Sequence, residues 1–133
     1  MLHLLECDIY RNDDIVPESV TQPGIARALD TDRSYVSFVL SQMESNDTVI
    51  NKLGRIQGGK RRRKVYFLTE EGLKYAQDIR TLISGIRIAY KSKGKELNNP
   101  LGYVASEAGL SLTTMVVNMD ASSVFDLDDI TLL

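Results

Sequence analysis

Between Lys52 and Lys64 the sequence carries seven basic residues and no acidic one: Lys52, Arg55, Lys60, Arg61, Arg62, Arg63 and Lys64. An arginine can present two parallel N–H donors to a phosphate, which a lysine cannot. Such a cluster has the chemistry to hold a polyanionic backbone, each neutralised phosphate releasing counterions to the solvent. The competing use is a solvated charge run that keeps the edge of a hairpin from pairing with another chain.

A second set of residues lies upstream. Arg33, Ser34, Tyr35, Ser37, Phe38 and Ser41 fall on the polar side of an amphipathic segment. The hydroxyls can bond phosphates or base edges, Arg33 can reach a phosphate or a guanine, and Phe38 can touch a thymine methyl. Tyr35 and Phe38 could instead pack into the core or against the basic hairpin.

Catalytic chemistry finds little to work with. His3 is the one histidine, and no nucleophile has an evident base beside it. Gly58-Gly59-Lys60 lacks the spacing of a P-loop. Asp126, Asp128 and Asp129 do not have the spacing of a calcium loop, and Cys7, the single cysteine, leaves neither a disulfide nor a Cys/His zinc set. The expectation is a protein that is not an enzyme and holds no metal or cofactor.

Charge is unevenly spread. Residues 1–51 hold 3 basic and 9 acidic side chains, residues 52–95 hold 13 and 3, and residues 96–133 hold none and 6. A cationic middle third inside a chain of net charge −2 suggests a polyanionic partner. No apolar run approaches the roughly 20 residues of a membrane span, and the start lacks the basic region and cleavage site of a signal peptide. The reading is a cytoplasmic protein without membrane contact. At 133 residues the chain has room for one domain of ordinary size.

These residues need elements to hold them. His3 to Tyr10 reads as the tail of a first helix. Thr21 is placed to cap a helix that has Pro23 in its first turn and ends near Asp30. Asp30-Thr31-Asp32 forms a turn, with Asp32 or Thr31 as the next cap. Val36, Val39, Leu40 and Met43 then recur at helical spacing, with the helix running to about Glu44. Two short helices joined by such a turn form a helix-turn-helix. Val49 to Ile56 and Arg61 to Leu68 read as strands around the Gly58-Gly59 turn. Thr69 caps a last helix from about Glu70 to Lys91, in which Ala76, Ile79, Ile83, Ile86 and Tyr90 step by 3 and 4. That seam predicts a dimer interface, the alternative being that it only covers its own domain's core.

The order of elements, and three stretches in particular, resemble the MarR-type winged-helix domain found at the front of archaeal and bacterial regulators. The stretches are Val16 to Ala26, Arg33 to Ser37, and Gly58 to Gly72 with its Tyr66-Phe67-Leu68-Thr69-Glu70-Glu71-Gly72 passage. The similarity covers about residues 1–90. It implies an α+β, mostly α fold: a winged helix-turn-helix with a two-stranded β wing and a long C-terminal dimerisation helix. It further implies a transcriptional regulator that binds double-stranded DNA as a homodimer through Arg33, Ser34, Tyr35, Ser37, Phe38, Ser41 and Lys60, Arg61, Arg62, Arg63, Lys64. The chain departs from relatives at Phe38, where Arg or Lys is frequent. The domain organisation expected is residues 1–91 as the winged helix, 92–100 as a linker, and 101–133 as an acidic extension. The alternative in another class is a protein-docking or dimerisation module of a larger sensor or ATPase assembly.

Overall fold

The computed structural model describes residues 1–121, 126–127 and 130–132. The chain divides into two compact units, 1–77 and 78–133. Its elements are α and β in mixture, with helices predominating in the first unit.

The first unit opens with α1 (Leu2–Glu6) and a 3-10 turn over Cys7–Tyr10. A two-residue strand β1 (Ile15–Val16) follows, then a 3-10 turn over Glu18–Val20. Helices α2 (Gln22–Ala28) and α3 (Arg33–Ser45) form the helix-turn-helix. Strands β2 (Val49–Ile56) and β3 (Arg62–Leu68) form an antiparallel hairpin, and α4 (Glu70–Ser84) closes the unit and continues into the next. The sheet order is β1-β2-β3, with β1 parallel to β2. This is a winged helix-turn-helix.

The three caps expected from the sequence are formed. Thr21 Oγ1 accepts the Gly24 N–H at 3.2 Å, Asp32 accepts the Tyr35 N–H at 2.8 Å, and Thr69 Oγ1 accepts the Gly72 N–H at 3.0 Å. Each satisfies a donor that the helix start would otherwise leave unpaired. Gly24 is required at its position: a Cβ there would lie 1.8 Å from the Glu18 carbonyl oxygen.

Strand β3 explains how one hairpin can be both anchored and free. Its last four residues, Val65 to Leu68, are buried on both faces. Val65 and Phe67 pack with Cys7, Val16, Val20 and Ile56. Tyr66 and Leu68, on the opposite face, join Leu4, Ile25, Val36, Leu40 and Ala76. The strand root is thus clamped between two apolar clusters, while its basic beginning projects beyond both.

The second unit differs from expectation. The last helix ends at Ser84 and does not continue to Lys91. Residues expected to finish that helix form β4 (Arg87–Ser92), and the expected linker forms β5 (Lys95–Pro100), paired antiparallel with it. The reason lies in the pattern itself. Ile83, Ile86 and Tyr90 fit a helical period, Ile86, Ile88 and Tyr90 fit a period of two, and Gly85 weakens the helix between them. Lys93 and Gly94, at φ 53 and 77, then make a two-residue turn with both residues left-handed, the geometry that matches strand twist in a hairpin.

Beyond it, α5 (Leu101–Ala108) and α6 (Leu112–Ala121) occupy part of the stretch expected to be an extension. Two short strands, β6 (Asp126–Leu127) and β7 (Ile130–Leu132), complete a sheet of order β5-β4-β7-β6. Tyr90, Leu101, Val104, Ala105 and Met115 form this unit's core. Asp128 and Asp129 lie outside the described residues.

The expected dimer seam therefore has no single helix to carry it. Ala76 is fully buried in the first unit. Ile79 is half-buried on α4, Ile83 packs into the second unit's core, and Ile86 is exposed in the turn after α4. Tyr90 is buried on β4, where its hydroxyl accepts the Asn99 amide at 2.8 Å. Ala76 and Tyr90, buried within the chain, are not offered to another one.

Candidate nucleic-acid interface

The wing positions its cations by strand alternation. The register pairs Arg62 with Arg55, Arg63 with Gly54 and Lys64 with Leu53. Arg62 and Lys64 therefore share one face, and Arg63 the other. Arg61 stands just before the strand, and Lys60 sits in the turn. Lys60, Arg61, Arg62 and Lys64 are exposed and make no ion pair among the described residues.

Not every cation of the run is without a partner. Lys52 donates to the Arg11 carbonyl at 2.7 Å, and its ammonium lies 5.1 Å from the centre of the Phe67 ring. It covers the wing root. Arg63 reaches Glu18 Oε1 at 3.6 Å, and Arg27 pairs with the same carboxylate. The Arg27 hydrogen bond, helped by the charges of both guanidinium groups, holds the Glu18 carboxyl below its usual range.

Helix α3 presents its other candidates as the spacing requires. Val36 and Leu40 are buried, and Ser34, Tyr35, Phe38 and Ser41 are exposed. Tyr35 is 58% and Phe38 60% exposed, so neither packs into the core. Ser37 is half-buried on the flank of the helix. Arg33, on that flank as well, donates to Gln22 Oε1 at 3.5 Å, and Gln22 in turn donates to the Tyr66 hydroxyl at 3.0 Å.

This chain of hydrogen bonds ties the first turn of α3 to the root of the wing through α2. The three elements enclose an open cleft of about 390 Å³ lined by Thr21, Gln22, Pro23, Arg33, Arg63, Lys64 and Tyr66. Three cations around such a cleft suit an anion. One member of the α3 set, Arg33, and two of the wing set, Arg63 and Lys64, thus border one concavity. Gln22, Arg27 and Tyr66 were not singled out from the sequence. Gln22 occupies the first position of a capped helix, which marks it as accessible but says nothing of its partners.

The acidic residues around α3 are accounted for locally. Asp32 is the cap, Asp30 takes a left-handed turn conformation at φ 51, and Glu44 accepts the Asn51 amide at 2.6 Å. His3 is buried, with Nε2 2.7 Å from the Ser19 carbonyl oxygen, and Cys7 Sγ is 3.7 Å from the same nitrogen. Burial pushes the Cys7 thiol up, away from the thiolate a nucleophile would need. No group of three or more metal-ligating side chains occurs among the described residues. No helix among them is long and apolar enough to cross a membrane.

No family model and no curated protein matches the sequence. Among solved structures, the chain is similar to two crystal structures of mutant forms of MepR from multidrug-resistant S. aureus clinical isolates. The first is 21% identical, with a TM-score of 0.45 over 87% of this chain and 73% of that one. The second is also 21% identical, with a TM-score of 0.41 over 90% and 76%. The class that the fold defines, a winged helix-turn-helix, rests on the element order and ladder registers given above.

Proposed function

We propose that the protein is a DNA-binding transcriptional regulator of MarR-like type, which sets the wing on the duplex backbone and α3 in the major groove. The observation that carries this reading is the cleft where Arg33, Arg63 and Lys64 meet, between a clamped cationic hairpin and the start of an exposed helix. Phosphate contacts fix register and orientation, and a helix can then address base edges. In this assignment Lys60, Arg61, Arg62, Arg63, Lys64 and Arg33 meet phosphates, while Ser34, Tyr35, Ser37, Phe38 and Ser41 face or flank the groove. The chemistry is binding, with no catalytic step.

The proposed unit is a homodimer; of the Ala76 to Tyr90 series, Ile86 is exposed and Ile79 half-buried, while Ala76 and Tyr90 are buried within the chain. Cytoplasmic location follows from the proposed role alone.

The test is equilibrium binding to duplex DNA across a salt series. Binding that weakens steeply with salt, with a log–log slope of about −0.9 per phosphate contacted, supports the proposal. Absence of binding to any duplex at low salt overturns it. The exposure of Tyr35 and Phe38 favours one second reading, a protein-docking module, since exposed aromatic pairs also anchor protein interfaces. Stable hetero-complex formation without DNA binding would select that reading.

A further inference from the structure

The exposed face of α3 has a composition that the wing does not share. At about 100° per residue, Ser34, Tyr35, Ser41, Gln42 and Ser45 all fall within about 60° of Phe38 around the helix. The core residues Val36, Leu40 and Met43 point the opposite way, and Arg33 and Glu44 lie about 140° and 120° round from Phe38. No charged side chain stands on this face. Phe38, Ser41, Gln42 and Ser45 line an open groove of about 410 Å³ together with Asn46. Gln42 is exposed, and its amide has no hydrogen-bond partner among the described residues.

Resting on the proposed DNA binding, we propose that α3 selects A·T base pairs, with Phe38 against a thymine C5-methyl group and Gln42 bonding an adenine one helical turn away. The major-groove code supports each half. Guanine is read by the forked or multiple donors of Arg or Lys, and this face offers neither. Adenine N6 and N7 are matched by the donor and acceptor of a carboxamide, which Gln42 has. The thymine methyl is the one apolar group in the groove, and an exposed phenyl ring is its complement. Phe38 and Gln42 are four residues apart, so they sit side by side. Neutrality of the face also matters: it has no cation to be drawn away to a phosphate, which leaves Phe38 and Gln42 to meet base edges. Long-range attraction comes from the wing and from Arg33 in the first turn of α3.

The experiment begins with selection from a random-sequence duplex pool using the full chain. Affinities are then compared for the selected site made with thymine and with deoxyuridine, which lacks only the C5-methyl group. The wild type should bind the deoxyuridine site about fourfold more weakly per contacted methyl, as expected for one buried carbon. Phe38→Ala should bind both sites equally. Because Phe38 is 60% exposed, that variant keeps its core, and its salt slope should match the wild type. Gln42→Ala should lose about fivefold or more of its preference for adenine at one position. Selected sites with G·C at the contacted positions overturn the inference and leave DNA binding intact. So does a deoxyuridine effect that is absent in the wild type or persists in Phe38→Ala. Failure to bind any duplex at low salt overturns the DNA-binding proposal and this inference together.

Discussion

The wing and the outer face of α3 belong to one unit, but they differ in chemical character. The wing is a projecting hairpin whose Lys60, Arg61, Arg62 and Lys64 have no ion-pair partner among the described residues. The α3 face is neutral, aromatic and hydroxyl-rich. Charge decides what each can supply. A cationic hairpin supplies attraction that is salt-sensitive and indifferent to sequence, whereas a neutral face adds little affinity at a distance and can discriminate only at close range. The same difference appears in their support. The wing depends on a strand root buried on both sides, and α3 depends on one buried stripe and a cap.

The largest expected effect is on the root of the wing. Phe67→Ala removes a ring that is 1% exposed, and should cost about 3–5 kcal/mol in thermal or denaturant unfolding. A loss under about 1 kcal/mol would mean that the wing is not clamped as described. Next comes the charge reversal of Arg61, Arg62 and Arg63 to Glu. It should weaken duplex binding about a hundredfold near physiological salt and flatten the salt dependence by about 0.9 for each phosphate no longer neutralised. Unchanged affinity and slope, measured by anisotropy titration, would remove the division of labour.

Smaller changes probe the reading side. Asp32→Ala deletes the α3 cap and should cost about 1 kcal/mol of stability by urea unfolding. Base preference at the selected site should blur while the salt slope stays, since no wing cation is touched. A changed slope with intact preference would reverse the assignment of the two surfaces.

The smallest effect concerns the base of the wing. Glu18→Gln removes the carboxylate shared by Arg27 and Arg63, and duplex affinity should rise by no more than about fivefold. The Arg27 hydrogen bond holds the folded-state Glu18 carboxyl below the ordinary value of 4.5. Its stabilisation is therefore present above that value and disappears as pH falls through the lower folded value. Acid unfolding curves of the wild type should be slightly steeper there than those of the variant, and coincident curves would show the pair to be idle.

Much of the first unit was legible in the sequence. Thr21, Asp32 and Thr69 cap where their residue types and the following apolar periods placed them. Val36 and Leu40 are buried at helical spacing, and Gly58 turns the wing at φ 75. The basic residues and the α3 candidates are exposed or half-buried. What could not be read were partnerships across the chain. His3 is buried because the Ser19 carbonyl, 16 residues away, accepts its hydrogen bond. Strand β1 consists of two residues that are a strand only because β2 lies beside them.

The second unit shows the limit most clearly. Ile83, Ile86 and Tyr90 fit a helix seam, and Ile86, Ile88 and Tyr90 fit a strand equally well. Local pattern does not separate the two. The hairpin is settled by pairing with Lys95–Pro100 and by burial of Tyr90 among Leu101, Val104 and Met115.

The sequence alone determined that a cationic hairpin follows a helix-turn-helix, because residue type, period and cap chemistry are local properties. Only the tertiary structure decided which of those cations are free, and that Arg33, Arg63 and Lys64 border one cleft. It also decided that the residues after Ser84 turn into a sheet. Burial and hydrogen-bond partnership depend on which distant segments meet, and no local pattern encodes that.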